Sequence, residues 1–330
     1  MKKILSILLC LTLLFSTLLL VACGDNNTEE PKLKLGLGLY STASATDATA
    51  DKNGAGQAII TAAAVLVDKD GKVVKAFIDC ADNTASYTAD GKAVAAASLQ
   101  TKYEKGDAYN MVAYGHASAE WYVQADKFCA LIAGKTANEI KALVTADGAN
   151  TDAVISAGCT IDVVEMAKAV EKAIANAADS NATAKDTVKL GVSTNQTTSD
   201  ATVDKKGSNK LETTFFAAAV NAEGKVVAAS SDCVQVDFTF DTKGASAYDA
   251  TKGVVSKKEA GDSYNMKTYG GAAKEWYEQA DAFDAACIGK TASEIASLKK
   301  TDDNYGVESL VSAGCTILVD GFVKAASKIG

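Results

Sequence analysis

The fold is decided by residues 58–80, which read AIITAAAVLVDKDGKVVKAFIDC. The run on each side of Asp70-Gly71 is rich in apolar and β-branched residues, and this dipeptide is typical of a tight hairpin turn. A third strand is expected over 85–89, before the next turn signal. The sequence therefore predicts a small antiparallel sheet.

Helical patterns follow these strands. One apolar face is formed at helical spacing by Trp121, Ala125, Phe128, Cys129 and Ile132. Capping boxes begin short helices at Thr136 and Thr291. A last helical stripe follows Thr160 and consists of Ile161, Val164, Ala167, Val170 and Ile174. We interpret 175–185 as the end of this helix and a linker. Strands followed by helices indicate an α+β fold.

The mature sequence contains the same motifs twice. Gly71 in Gly-Lys-Val-Val recurs as Gly224, 153 positions later, and Thr160 recurs as Thr316, 156 positions later. We therefore expect two tandem copies of one domain, each with a small antiparallel sheet followed by packed helices. The copies are assigned to residues 32–180 and 186–330.

The N-terminus has the pattern of an export signal. Lys2-Lys3 precedes an apolar run that ends at Ala22-Cys23, and the combination resembles a bacterial lipobox. The resemblance implies a signal peptide over 1–22, lipidation of Cys23, a polar tether over 23–31 and anchoring at the extracellular face of the cell membrane. The alternative is an uncut transmembrane helix, since the run is long enough to span a bilayer.

Composition excludes several classes of function. The formal net charge is -8 and the chain contains no arginine, which argues against nucleic-acid binding. His116 is the only histidine and its counterpart is Gly271, so neither a duplicated Cys/His or Ser/His nucleophile nor a histidine metal site is expected. Gly134-Lys135-Thr136 lacks the first glycine of a phosphate loop and is interpreted as a turn with a helix cap.

Each copy shares two cysteines and keeps one of its own. Cys80 corresponds to Cys233 and Cys159 to Cys315, whereas Cys129 and Cys287 are not equivalent. An oxidising exterior permits the disulfides Cys80–Cys159 and Cys233–Cys315. The alternative is that these cysteines are small core residues.

The segments Ser-Ala-Gly-Cys-Thr, at 156–160 and 312–316, are the most informative about chemistry. Small residues before a helix leave room for an anion near its unpaired backbone amides, and threonine adds a hydroxyl. The hypothesis is a phosphate site in each copy. The structural alternative is a tight helix start with threonine as the N-cap.

Four motifs together resemble a known family. They are Glu-Trp-Tyr-x-Gln-Ala-Asp, Gly-Asp-x-Tyr-Asn-Met, Gly-Lys-Thr-x-x-Glu-Ile and the small-residue segment ending in threonine. They resemble flavinylated lipoproteins of extracellular electron transfer, of the PplA type. In that family a flavin transferase joins the phosphate of FMN to a threonine hydroxyl. The resemblance implies covalent FMN on Thr160 and Thr316.

The resemblance also implies the surroundings of each FMN. The acceptor segments contribute Ser156, Gly158 and Cys159 in the first copy, and Ser312, Gly314 and Cys315 in the second. The duplicated aromatic candidates for contact with the flavin ring are Trp121 and Trp276, Tyr109 and Tyr264, and Tyr114 and Tyr269. The family's acceptor pattern, Asp-x-x-Ser/Thr-Gly-Ala-Thr, differs here: Cys159 and Cys315 replace its alanine, and the acidic residue is at Asp152 or Glu308.

The resulting hypothesis is an electron carrier rather than an enzyme. It would relay electrons from a membrane donor that oxidises quinol to an external acceptor, with the flavin performing the redox chemistry. Two alternatives remain: an extracellular flavin-dependent reductase, and a cofactor-free binding or structural lipoprotein.

Overall fold

The computed structural model describes residues 30–307 and 309–330, and Pro31–Gly330 forms one compact unit. The predicted signal peptide, Cys23 and most of the tether lie outside the described residues. In the part that is described, no helix is both long and apolar enough to cross a membrane.

The compact unit contains two antiparallel sheets. Their strands are β1 (Lys34–Thr46), β2 (Gly54–Val67), β3 (Val73–Tyr87), β4 (Ala93–Val94), β5 (Ala178–Asp179), β6 (Thr187–Ser199), β7 (Gly207–Val220) and β8 (Val226–Phe240). The first sheet has the order β4-β3-β2-β1-β5 and the second the order β6-β7-β8.

The predicted hairpin is confirmed, but its strands are longer than expected. β2 and β3 pair from Gly54 opposite Tyr87 to Val67 opposite Val73, around the turn at Asp70-Gly71. The prediction of a separate strand over 85–89 is wrong, because β3 continues without interruption to Tyr87. The first strand of each sheet, β1 or β6, was not anticipated.

In the part of the chain that the structure describes, six helices follow each three-stranded meander. The first set is α1 (Lys102–Lys105), α2 (Met111–Gly115), α3 (Trp121–Ile132), α4 (Ala137–Lys141), α5 (Asp152–Ser156) and α6 (Val164–Ala175). The second set is α7 (Lys257–Ala260), α8 (Met266–Gly270), α9 (Trp276–Cys287), α10 (Ala292–Ala296), α11 (Ser309–Ala313) and α12 (Asp320–Ala326). Short 3-10 segments lie at Gly106–Tyr109, Ala250–Lys252, Gly261–Tyr264 and Ser327–Ile329. The mixed α/β composition expected from the sequence is confirmed.

The helix predictions are mostly confirmed. The stripe that begins at Trp121 forms α3, and both capping boxes are present, at Thr136 and at Thr291. The stretch 175–185 is more than a linker: β5 pairs with β1, and the main-chain carbonyl of Ala182, a fully buried residue, accepts a hydrogen bond from Leu33.

The two sheets pack face to face, and helices cover the outer face of each. A central core joins side chains of both sheets, including Leu37, Ile60, Leu190 and Phe215. Two outer cores lie between a sheet and its helices. The order of layers is therefore helix, sheet, sheet, helix. The first half (32–180) and the second half (186–330) share the central core.

The cysteines of the described residues pack in the two outer cores, Cys129 at the edge of one of them. All six cysteines of the described residues are free thiols, and the disulfides Cys80–Cys159 and Cys233–Cys315 are absent there. Cys80 and Cys233 lie in strands and Cys159 and Cys315 in loops, all of them fully or almost fully buried. Burial raises the pKa of the Cys80 thiol to about 12, so these side chains behave as small apolar groups.

Candidate functional site

The two Ser-Ala-Gly-Cys-Thr segments form loops with the same backbone shape. After α5, Gly158 has φ +88°, and after α11, Gly314 has φ +95°. This left-handed region strongly favours glycine, because a Cβ would clash with the backbone. The turn buries the next side chain, cysteine, and leaves the following threonine, Thr160 or Thr316, exposed.

The threonine does not begin a helix, which corrects the expectation of a phosphate site at a helix N-terminus. Thr160 lies four positions before Val164, the first residue of α6. The amide of Val164 is already bonded to the Asp162 carboxylate at 2.7 Å. In the second half, Thr316 likewise precedes α12, which begins at Asp320. The early amides of these helices are therefore not grouped around the threonine hydroxyl.

A buried glutamine holds each threonine instead. Gln124 Oε1 accepts hydrogen bonds from Thr160 N at 2.7 Å, Thr160 Oγ1 at 3.1 Å and Ile161 N at 3.1 Å. Gln279 Oε1 accepts from Thr316 N at 2.9 Å and from Thr316 Oγ1 at 2.8 Å. The glutamine side chains are 0% and 1% exposed. One amide oxygen therefore fixes both the backbone and the hydroxyl of each threonine.

Sequence reasoning missed these glutamines, although a signal was present. Gln124 is a polar residue on the buried face of α3, one helical turn after Trp121, and Gln279 repeats this placement in α9. Buried polar side chains are normally hydrogen-bonded. Here the Nε2 atom of Gln124 donates to the main-chain oxygen of Ala119, and that of Gln279 donates to the main-chain oxygen of Lys274.

The geometry leaves the threonine oxygen free to react. The hydroxyl proton points to the glutamine Oε1, while the residue itself is exposed to solvent. In the first half Ser118 Oγ also lies 3.3 Å from Thr160 Oγ1. An amide oxygen is not a general base, so the arrangement orients the hydroxyl without ionising it.

An ammonium group lies against each glycine. A Cβ built on Gly158 would come within 2.8 Å of Lys127 Nζ, and one built on Gly314 would overlap Lys274 Nζ. Lys127 belongs to α3, whereas Lys274 precedes α9, so the two halves supply this cation from different positions. A positive charge beside the loop favours an anionic group on the threonine.

A cavity of about 790 Å³ opens beside Thr316. Its wall includes Gln279, Trp276, Tyr264, Lys257 and Glu212. Its volume is within the range of small-molecule sites, roughly 300–1,000 Å³. The wall also contains Lys210 and Asp320, so aromatic surface, lysines and carboxylates converge next to the Thr316 hydroxyl.

The aromatic candidates separate into three kinds. Trp121 and Trp276 are 6% and 3% exposed and belong to the outer cores, although Trp276 also contributes to the cavity wall. Tyr264 is 37% exposed at that wall, and Tyr109 is half-buried at the equivalent place. Tyr114 and Tyr269 stand on α2 and α8 and are largely exposed.

Within each half, hydrogen bonds connect the recurring motifs to one another. Glu120 accepts hydrogen bonds from the amides of Met111 and Val112, which holds the start of α2 against α3. Tyr122 donates to Asp107 at 3.1 Å. The second half has the same contacts, with Glu275 bonded to Met266 and Lys267, and Tyr277 to Asp262. The motifs thus build one support for the threonine loop.

The remaining candidates lie around this support. Cys159 and Cys315 point into the cores, and burial raises the pKa of the Cys315 thiol to about 11. Ser156 and Ser312 are exposed on the short helices before the loops. Asp152 begins α5, and Glu308 lies outside the described residues.

Comparison with known proteins does not extend these observations: no family model matches the chain, and no curated protein or solved structure is significantly similar to it. Among the described residues, no group of three or more His, Cys, Asp or Glu side chains is arranged to hold a metal ion.

Proposed function

We propose that this chain is an exported lipoprotein that carries FMN as a phosphoester on Thr160 and Thr316. The observation that carries the proposal is the exposed threonine hydroxyl, held by a buried glutamine after a left-handed glycine. The motif resemblance to flavinylated lipoproteins supports the same residues. A cofactor attached covalently is not lost by diffusion outside the cell.

The residues present fit both ends of the cofactor. Lys127 or Lys274, packed on the loop glycine, would compensate the charge of the phosphodiester. In the second half, Trp276, Tyr264 and Lys257 would hold the ring system in the cavity beside Thr316. FMN supplies the electron transfer, while the protein provides position and electrostatic surroundings.

The biological role follows from the anchor and the cofactor together. Lipidation of Cys23 would keep the chain at the extracellular face of the membrane. The flavins would receive electrons from a membrane donor that oxidises quinol and pass them to external acceptors. A flavin transferase is the required partner for maturation.

We also propose that the halves arose by tandem duplication. The contacts between them are reciprocal: Lys172 pairs with Glu259, and Lys328, 156 positions after Lys172, pairs with Glu104. Such an exchange is the property of a two-fold interface between identical units. Main-chain hydrogen bonds show the same reciprocal exchange between the halves. The amide of Ala48 donates to the carbonyl of Gly244, and the amide of Ala201 donates to the carbonyl of Gly91, both at 2.8 Å.

The test is co-expression with a flavin transferase, followed by absorbance and intact-mass measurement. Parent protein should be yellow and carry two FMN additions. Thr160→Val and Thr316→Val should each lose one addition, and the double variant should lose both. Thr198→Val, an exposed threonine on β6, is the control and should keep both. A double variant that remains as yellow as the parent would refute the proposal.

The same measurement separates the alternatives. A colourless parent protein in the presence of transferase would favour a cofactor-free binding lipoprotein. Saturable, selective oxidation of the reduced protein by one soluble acceptor would favour a reductase.

A further inference from the structure

We infer that Lys257 sets the reduction potential of a flavin on Thr316 by placing a buried ammonium group at the cavity beside this threonine, and that Lys102 has the same aromatic setting in the first half. The inference rests on the proposed function and names the residues that regulate its chemistry.

The ammonium groups occupy the same aromatic setting in both halves. Lys257 Nζ lies 5.3 Å from the centre of the Tyr264 ring and 5.4 Å from that of Trp276. Lys102 Nζ lies 5.4 Å from the centre of the Tyr109 ring and 5.9 Å from that of Trp121. These distances are within the range of cation–π attraction.

Burial of these cations is costly and needs an explanation. The Lys257 side chain is 8% exposed and the Lys102 side chain is 15% exposed. An ammonium group taken out of water is tolerated only with a partner, and even then the pair is often no more stable than apolar residues of similar size. Stability of the fold alone therefore does not account for lysine at both positions.

The carboxylate that pairs with the lysine comes from a different strand in each half. Lys257 pairs with Glu212 of β7 at 2.5 Å, whereas Lys102 pairs with Asp82 of β3 at 3.5 Å. The residue at the position of Glu212 in the first half is Ile59, and that at the position of Asp82 in the second half is Gln235. The lysine, tyrosine and tryptophan recur, while the source of the carboxylate changes.

In the second half, the lysine and its two aromatic neighbours lie next to Thr316, the proposed attachment point of the flavin. Lys257, Glu212, Tyr264 and Trp276 all contribute to the wall of the cavity that Thr316 also lines. A flavin on Thr316 that fills this cavity would therefore meet the buried Lys257 ammonium group and its partner Glu212 at close range, beside Lys210 and Asp320 of the same wall.

The chemical consequence has a definite sign. Uptake of two electrons and one proton, supplied by the membrane donor and by solvent, adds one negative charge to the flavin ring. A nearby ammonium group stabilises that charge and makes reduction easier, and a nearby carboxylate has the opposite effect. Removal of Lys257 should lower the reduction potential, and removal of the charge of Glu212 should raise it.

The experiment uses full-length Thr160→Val protein made with flavin transferase, so that only the flavin on Thr316 is present. Potentials are measured by spectroelectrochemical titration. We expect Lys257→Met to shift the potential downward, Glu212→Gln to shift it upward, and Lys257→Arg to stay near the parent. Lys252→Met, a lysine whose side chain is 81% exposed, should leave it unchanged.

A second readout uses the protein without cofactor. In Lys257→Met/Glu212→Gln the buried charges are removed together, and thermal unfolding should show no loss of stability relative to the parent. A large loss of thermal stability would show that the Lys257–Glu212 ion pair serves the stability of the fold, and it would contradict the inference.

The outcomes separate the two proposals. If no FMN is attached to Thr160→Val protein, the proposed function fails at Thr316. If FMN is attached and the potential is the same in Lys257→Met, Glu212→Gln and parent, the inference alone fails. Should Lys257→Met not fold, the sign of the Glu212→Gln shift decides, because an unchanged or lower potential contradicts the inference.

Discussion

The support of each threonine depends on one side chain. Gln124 and Gln279 are fully or almost fully buried, and their Oε1 atoms accept the hydrogen bonds that hold the loop. Replacement by alanine would remove this acceptor and open a cavity. A hydrophobic residue of similar size would fill the space, but it could not accept the hydrogen bonds that hold the loop. The loop geometry is therefore a property of a single buried amide.

Gln279→Ala should lower the free energy of unfolding by about 2–3 kcal/mol, because the Thr316 loop loses its hydrogen-bond acceptor and the buried Gln279 side chain leaves a cavity. Urea denaturation measures this change. Gln235→Ala, an exposed glutamine on β8, is the matched control and should change stability by less than about 0.5 kcal/mol. Equal effects of the two substitutions would show that Gln279 does not support the loop.

Two buried carboxyl groups make stability depend on pH. Burial raises the pKa of Asp79 to about 6 and that of Asp232 to about 6, although hydrogen bonds from Thr101, Cys80 and Tyr103 to Asp79 oppose the shift. The pKa in the unfolded chain is about 3.9. Between these values the folded protein binds more protons, so the contribution to stability is present at low pH and is lost as pH rises through 6.

Acidification from pH 7 to pH 5 should therefore raise the free energy of unfolding by roughly 1 kcal/mol for each carboxyl group. Denaturation in urea at several pH values measures the slope. The double variant Asp79→Asn/Asp232→Asn should lose the part of this rise that these two groups contribute, since the amide does not titrate, and the remainder comes from Asp284, whose pKa burial also raises. Asp204→Asn in an exposed loop should keep the full rise. The same slope in both variants would contradict the assignment.

At the scale of elements, the outer helices approach the sheets unusually closely. A Cβ on Gly36 of β1 would overlap the carbonyl oxygen of Ala173 in α6, and one on Gly191 of β6 would overlap that of Ala325 in α12. Glycine at these strand positions lets the helix backbone rest directly on the sheet. The position of α6, and of the threonine loop that leads into it, therefore depends on the absence of one side chain.

Gly36→Ala should destabilise the protein by several kcal/mol, because the backbone of α6 cannot retreat without opening the outer core. Gly115→Ala is the control, since nothing lies within 4 Å of its Cβ position at the end of α2, and should be neutral. Thermal unfolding compares the two. Parent-like melting of Gly36→Ala would mean that α6 moves freely over the sheet.

At the scale of the whole molecule, the halves are joined through the core. Leu37 and Ile60 of the first sheet and Leu190 and Phe215 of the second belong to one cluster of buried residues. Either sheet without the other would expose this apolar face to water. Cooperative unfolding of both halves follows from the shared core.

The two tryptophans, one in each half, allow this prediction to be tested. Trp276→Phe leaves Trp121 as the reporter of the first half, and Trp121→Phe leaves Trp276 as the reporter of the second. The urea midpoints of the two variants should each coincide with the transition seen by circular dichroism. Added to Trp276→Phe, Phe215→Ala should lower the stability reported by Trp121 by about 3–5 kcal/mol. An unchanged Trp121 transition would show independent halves.

Local patterns anticipated the elements whose signals are local. The hairpin around Gly71, the helix that begins at Trp121 and the capping boxes at Thr136 and Thr291 are encoded by turn chemistry, periodicity and side-chain caps. The first strand of each meander was missed, because its glycines and polar residues resemble a loop until a helix is packed on them.

The sequence by itself determined the mixed α/β class, the recurrence of motifs and the two segments that end in Thr160 and Thr316, since each of these is read from neighbouring residues. Only the tertiary structure decided the shared core, the free cysteines, the glutamine behind each threonine and the lysine at the aromatic cavity. These features join residues far apart in the chain, such as Gln279 with Thr316 and Lys257 with Glu212, and no local pattern records which distant side chains meet when the sheets and helices pack.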